Sequence, residues 1–209
     1  MSDPSLLICG ASLNLIAEIL EKGFAQLEEG RFEDAIDTFT DCLNIEPTAA
    51  SAYRGRGISN FKMEHWVESE ADFKKAKELD PNDLESHVGF GMSLAMKNKI
   101  YEAIDVFDNL LKNHPQYVRG HVQLGHLYYR MGLIPKGHAQ MEQALACRPS
   151  LEERRLIEGT LKEQKMLDKK RYYRPDFEAL NKNNPSILKD WVQKIFKRVK
   201  GKDKDHDSK

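Results

Sequence analysis

The 209-residue sequence predicts an all-α solenoid built from repeated pairs of helices. Three observations predict this fold class. Proline recurs every 34 residues, glycine recurs with the same period, and within that frame a small residue precedes a large apolar one at a constant spacing. A shared period of this length in independent residue types is typical of solenoids whose repeating unit is one helical hairpin.

The prolines mark where the second helix of each unit ends. Proline has no backbone N–H and therefore cannot continue the hydrogen-bond ladder of a helix. In the segment 80–83, Asp-Pro-Asn-Asp, the helix end is followed directly by polar residues that can begin the next helix. The periodic prolines are Pro47, Pro81, Pro115 and Pro149.

Glycines and small residues mark where the two helices of a unit cross. A missing side chain lets two helix backbones approach closely, so these positions predict tight helix–helix contacts. The glycines of the first helices are Gly23, Gly57, Gly91 and Gly125, and the small residues of the second helices are Ala35, Ser69, Ala103 and Gly137.

A large apolar residue follows each small one and predicts the core of the solenoid. On a second helix this side chain inserts between neighbouring first helices, where it is shielded from water. The turns between paired helices are predicted at 30–31, 64–65, 98–99 and 132. The large apolar residues are Phe39, Phe73, Phe107 and Met141.

This pattern resembles the tetratricopeptide repeat over about residues 16 to 150. The resemblance implies a right-handed superhelix of four units, at about 16–49, 50–83, 84–117 and 118–151. Some slots depart from the family's pattern. Its early aromatic slot holds His87 and His121 in the last two units, and its usual apolar slots hold polar or charged residues in the first two. These polar residues are Lys22, Gln26, Arg56 and Asn60.

The segments on either side of the repeats have separate predictions. Residues 1–15 form a lead-in to the first helix, because the apolar run 6–11 is too short for a signal peptide and follows an acidic residue. Residues 151–168 form one charged helix with a narrow apolar stripe. Its partner helix is missing, so we expect it to cap the last exposed face of the solenoid.

The resemblance further implies that the first helices line a concave groove for a partner polypeptide. The inward slots are apolar with a basic rim, and the alternative is that these side chains pack within the chain itself. Methionines adapt to varied shapes, and basic side chains suit acidic residues of a partner. The predicted groove residues are Leu20, Phe24, Leu27, Arg54, Ile58, Phe61, Lys62, Val88, Met92, Met96, Arg119, Val122, His126, Tyr129 and Arg130.

A chaperone-type clamp for a free C-terminal carboxylate is not expected. Family members with that clamp use Lys and Asn side chains on the first helices. The matching slots here hold Leu20, Phe24, Gly55, Glu85 and Gly89. We therefore expect the partner to contribute an extended or amphipathic peptide segment.

The C-terminal region predicts a linker at 169–185, a basic amphipathic helix at 186–200 and a disordered tail at 201–209. The helix face could dock on the solenoid, lie on an anionic membrane surface or contact a partner protein. Charge is unevenly distributed, since residues 1–150 carry 15 Lys and Arg against 22 Asp and Glu, and the remainder carries 17 against 11. The apolar face comprises Trp191, Val192, Ile195 and Phe196.

Several other functions are not expected from this sequence. The chain contains no recognisable catalytic motif, and the spacing of His87, His121 and His126 follows the repeat instead of a metal site, so no enzyme activity, metal or cofactor is predicted. Nucleic-acid binding through the basic and aromatic segment 169–174 is a weaker alternative. The three dispersed cysteines suit a reducing compartment. We expect a cytoplasmic scaffold protein that is open to self-association or to peripheral membrane attachment.

Overall fold

The structure, a computed structural model, describes residues 4–171, with side chains described for 14–168. These residues form nine α-helices and no strand, which confirms the predicted all-α class. The helices are α1 (Pro4–Glu28), α2 (Phe32–Ile45), α3 (Ala50–Lys62), α4 (Trp66–Leu79), α5 (Leu84–Met96), α6 (Ile100–Asn113), α7 (Val118–Arg130), α8 (Ile134–Ala146) and α9 (Leu151–Arg171).

Helices α1 to α8 form four consecutive hairpins. The first helices α1, α3, α5 and α7 also contact one another in sequence, so they lie side by side along the stack. The chain divides into two compact units, Met1–Leu161 and Lys162–Lys209. The stack lies in the first unit. Of the second unit the structure describes only 162–171, which is helical.

The four turns within the hairpins share one backbone conformation. Each places a residue in the left-handed region, with φ of 78° at Gly30, 63° at Glu64, 63° at Asn98 and 73° at Gly132. Glycine adopts this conformation freely, whereas a residue with a Cβ is strained there. The same turn geometry therefore carries more backbone strain in the second and third hairpins, which have Glu64 and Asn98 there, than in the first and fourth, which have glycine.

Each periodic phenylalanine packs against glycine backbone on the neighbouring first helices. Phe39 is fully buried, and a Cβ at Gly23 would lie only 2.7 Å from its ring. On its other side, a Cβ at Gly55 would overlap the same ring. The Phe73 ring blocks Gly89 in the same way. These contacts explain why glycine is needed where the helices meet.

The ends of the stack differ in detail from the sequence-based boundaries. Helix α1 begins at Pro4, so most of the expected lead-in 1–15 is helical. Helix α9 begins at Leu151, as expected for the capping helix, and continues to Arg171 into the predicted linker. Ile157, at 1 % exposure, packs with Met141 in a cluster that closes the fourth hairpin.

The rest of the C-terminal predictions lie outside the described residues. These are the remainder of the linker to residue 185, the amphipathic helix 186–200 with its face of Trp191, Val192, Ile195 and Phe196, and the tail 201–209. Among residues 4–171, no helix is both long and apolar enough to cross a bilayer.

Candidate functional site

Two adjoining clefts lie between the first helices of the second, third and fourth hairpins. The α3–α5 cleft has a volume of about 240 Å³, and the α5–α7 cleft has a volume of about 160 Å³. Phe61 and Met92 line both, so the two clefts share one wall. The remaining lining is Ile58, Lys62, Phe73, Glu85, Val88, Gly89 and Arg119 in the first, and Ala95, Met96, Phe107, Gln123, His126, Leu127 and Arg130 in the second.

The floor of each cleft is a phenylalanine from a second helix. Phe73 of α4 lies beneath the first cleft and Phe107 of α6 beneath the second. Because these rings belong to the core, they hold the cleft floor rigid. The upper walls are more adaptable, since Met96 is 45 % exposed and methionine adjusts its shape at little cost.

Half of the predicted basic rim is neutralised by acidic neighbours. Arg119 forms an ion pair with Glu85, whose second oxygen accepts a hydrogen bond of 2.6 Å from the Tyr117 hydroxyl. Burial and the adjacent Glu85 carboxylate raise the pKa of Tyr117 above its usual range. Arg54 pairs with Asp83 at 3.3 Å. These two arginines therefore have less charge to offer a partner than the sequence suggests.

The other two basic residues remain more available. Lys62 is exposed and has no carboxylate within 4.0 Å among the described side chains. Arg130 donates one hydrogen bond of 3.3 Å to the Ala95 carbonyl at the end of α5. The free positive charge is thus concentrated at the C-terminal ends of α3 and α7.

The structure gathers nine of the fifteen predicted groove residues into the two clefts. Leu20, Phe24 and Leu27 instead pack around Phe39 in the first hairpin, with the Phe24 and Phe39 ring centroids 5.1 Å apart. Arg54 lies outside both clefts, with its guanidinium 5.7 Å from the Phe24 centroid. Val122 and Tyr129 pack against the cluster around Met141 and Ile157. At both ends of the stack, the side chains pack within the chain.

Several cleft residues were missed by the sequence-based selection. Phe73 and Phe107 were assigned to the core, although one side of each ring also faces a cleft. Glu85 was assigned only to a slot of the absent chaperone-type clamp, and Gln123 was not selected. The 34-residue period could have indicated Gln123, because it lies 34 residues after Gly89, which lines the first cleft.

Two of the candidate histidines form hydrogen bonds that hold the fold. His87 Nε2 donates to the Pro81 carbonyl at 3.1 Å, and His121 Nε2 donates to the Pro115 carbonyl at 2.9 Å. His126 lines the second cleft, where desolvation lowers its pKa below the usual value even though part of the residue is exposed. Among the described residues, no group of three or more His, Cys, Asp or Glu side chains is arranged to hold a metal.

Comparison with known proteins shows the class of repeat. No protein-family model matches the chain. Mouse sperm-associated antigen 1 is 31 % identical over 94 residues, which are 45 % of this chain and 10 % of that much longer protein. A thermophilic tetratricopeptide-repeat protein of Thermus thermophilus superposes with a TM-score of 0.63 at 20 % identity, covering 85 % of this chain and 96 % of that one.

A further solved structure shares the fold over the repeats. The first tetratricopeptide-repeat domain of Spaghetti, bound to an HSP90 peptide, superposes with a TM-score of 0.53 at 19 % identity, covering 56 % of this chain and 93 % of that one. The chain is thus an αα-hairpin repeat protein. Its four hairpins have the fold seen in tetratricopeptide-repeat proteins.

Proposed function

We propose that this protein is an interaction scaffold that holds a polypeptide segment of a partner in the α3–α5 and α5–α7 clefts. The observation that carries the proposal is the continuity of the clefts through Phe61 and Met92. A concave, largely apolar site with a few polar groups at its edge is the usual form of a ligand site. Exposed Met96 gains most from being covered, since it is 45 % exposed in the free chain.

The charges around the clefts favour a segment with large apolar side chains and one acidic residue. Lys62 can pair with a carboxylate without breaking an existing ion pair, whereas Arg119 would have to give up Glu85. The Spaghetti domain, which binds an HSP90 peptide, supports a peptide as the kind of ligand for this fold. A free C-terminal carboxylate is not required, because Gly55 and Gly89 stand in slots of the chaperone-type clamp and face phenylalanine rings.

Affinity capture from the source cell tests this function directly. The full chain and the variant Met92→Glu are used as baits, and bound proteins are compared by mass spectrometry. We expect Met92→Glu to lose a specific partner, because a carboxylate in the wall shared by both clefts opposes burial of apolar side chains. Circular dichroism should remain helical.

A matched control and a second variant make the result decisive. Val67 lies on α4 with 61 % exposure and lines neither cleft, so Val67→Glu should retain the partner. Met96→Glu changes a side chain that is already exposed and should lose the partner without unfolding the chain. Retention of every partner by Met92→Glu and Met96→Glu would exclude the clefts as the binding site.

A further inference from the structure

The two clefts are the same structural slot in successive repeats. Six of the nine residues that line the α3–α5 cleft are followed 34 positions later by a residue that lines the α5–α7 cleft. The floor, one wall and the upper edge therefore correspond. The floor residue is phenylalanine in both clefts, whereas the wall and edge residues differ. The corresponding pairs are Phe73 and Phe107, Gly89 and Gln123, and Lys62 and Met96.

The chain itself fills the same slot at both ends of the stack. In the first hairpin Phe24 packs edge-on against Phe39, at a centroid distance of 5.1 Å and an interplanar angle of 67°. In the fourth hairpin Ile157 from α9 takes the position of Gly89 and Gln123, and is buried against Met141. The ends thus show which ligand suits the slot: one large apolar side chain lying on the ring or thioether of the floor residue.

We propose that the two open slots are tandem subsites, each of which takes one large apolar side chain from the same extended segment of a partner protein. This inference rests on the proposed function and specifies the ligand of that site. In the α5–α7 cleft the volume of about 160 Å³ fits one such group, because apolar cavities of about 150 Å³ admit a benzene-sized molecule. The α3–α5 cleft is larger and adds Lys62 at its edge.

The repeat geometry determines the spacing of the two side chains. Neighbouring first helices are in contact, and packed helices have axes about 8–10 Å apart. In a polyproline II segment, side chains three residues apart face the same side and are about 9 Å apart, because each residue advances about 3.1 Å. We therefore assign the two anchors to positions i and i+3 of the segment.

The edge of the second cleft favours an extended segment over a helix. Gln123 and His126 line this cleft, and neither side chain makes a hydrogen bond with the described residues. An extended backbone offers unpaired N–H and C=O groups to such side chains. A helix would leave them unused, since its backbone groups are paired internally.

Synthetic peptides of equal length and blocked ends test the spacing. Each carries one glutamate and two phenylalanines, placed one to seven positions apart, and binding to the full chain is measured by fluorescence anisotropy. We expect the i, i+3 peptide to bind about tenfold or more tighter than a peptide with a single phenylalanine. Absence of a spacing preference overturns the inference. A preference for i, i+7 does so too, because that spacing places two side chains about 10 Å apart on one face of a helix.

Two exposed positions assign the anchors to their subsites. Met96→Glu lies only in the second cleft and should reduce binding of the i, i+3 peptide to the level of the single-phenylalanine peptide. Lys62→Glu should weaken the glutamate peptide but leave its glutamine counterpart unchanged, and Val67→Glu should bind both as the parent chain does. If Met96→Glu keeps the spacing preference and Lys62→Glu keeps the preference for the glutamate peptide, the assignment of the anchors is overturned.

The peptide and capture experiments can fail independently. If Met92→Glu loses its partner while peptides show no spacing preference, the scaffold function stands and the tandem subsites are wrong. If capture is unaffected by Met92→Glu and Met96→Glu, the scaffold function at these clefts fails.

Discussion

The second and third hairpins fill the same space between their two helices with different kinds of side chain, charged and polar in the second and apolar in the third. Between α3 and α4, the Arg56 guanidinium makes a bidentate contact with Asp72, with its shortest distance 2.7 Å, and Asn60 Nδ2 donates to Asp72 at 3.0 Å. Between α5 and α6, the equivalent positions 34 residues later hold only apolar side chains. These side chains are Phe90, Leu94 and Val106.

The comparison shows that the contact between the periodic glycine and phenylalanine sets the geometry of the hairpin. The side chains that fill the remaining space between its two helices do not. Both hairpins keep their phenylalanine against a first-helix glycine, with Phe73 facing Gly57 and Phe107 facing Gly91. The slot between the helices then accepts either an ion pair or an apolar cluster. The two differ in their tolerance of change, because an ion pair depends on every partner whereas apolar packing is lost gradually.

The largest expected effect comes from removing the shared carboxylate of the second hairpin. Asp72 is only 5 % exposed, and Asp72→Ala leaves Arg56 with no carboxylate inside the hairpin. We expect a loss of about 3 kcal/mol in the free energy of unfolding, measured by urea denaturation. The matched change Val106→Ala in the third hairpin should cost about 1 kcal/mol. Equal losses would contradict the proposed difference between the hairpins.

Transfer of the apolar side chains of the third hairpin to the equivalent positions of the second tests whether the two kinds of packing are interchangeable. The triple variant Arg56→Phe, Asn60→Leu and Asp72→Val replaces the polar cluster as a unit. Replacement of an ion pair by well-packed apolar groups is often neutral or stabilising by about 1–4 kcal/mol. We expect the variant to be at least as stable as the parent chain, and a helical but clearly destabilised protein would show that the hairpins are not equivalent.

The turns of the two hairpins should differ by a smaller amount. Glu64 and Asn98 share a φ of 63°, but asparagine tolerates the left-handed conformation better than glutamate. Glu64→Gly should therefore raise the unfolding free energy by about 0.5–1 kcal/mol, after the entropy lost by glycine is included. The change Asn98→Gly serves as the control and should have almost no effect.

The smallest effect concerns pH and the third hairpin. Desolvation lowers the pKa of His87, opposed by the Pro81 carbonyl and Asp83, with smaller lowering effects from Lys77 and His114. The usual pKa of imidazole is about 6.5. Just below that pH, His87 therefore binds more protons in the unfolded chain than in the native one. Stability contributed by His87 is complete above that value and is lost as pH falls towards the lowered pKa.

The second hairpin supplies the replacement that tests this prediction. Tyr53 occupies the position equivalent to His87, so His87→Tyr transfers a residue that the repeat already accommodates. Thermal unfolding between about pH 5 and pH 7.5 should depend less on pH in the variant than in the parent chain. An unchanged pH dependence would assign the effect to other groups, such as His126, whose pKa is also lowered by desolvation.

The sequence alone determined the repeat and its boundaries along most of the chain. Proline, glycine and phenylalanine act locally, since proline ends a helix and glycine permits close packing wherever they occur. Their period therefore predicted the helix pairs and the turns within them. The family resemblance, and not the period itself, placed Phe61, Met92 and Met96 in the inward slots of the first helices, and these three residues line the clefts.

Only the tertiary structure decided which slots of that surface are open. Phe24 and Met92 occupy equivalent positions, yet Phe24 covers its floor residue and Met92 leaves a cleft, because the outcome depends on side-chain size and on what the next helix supplies. The available charge was equally hidden. Arg119 and Lys62 look alike in the sequence, but Glu85 lies close enough to pair with Arg119, and no described carboxylate reaches Lys62. Such pairings join residues on different helices, so the period can place each residue but cannot reveal its partner.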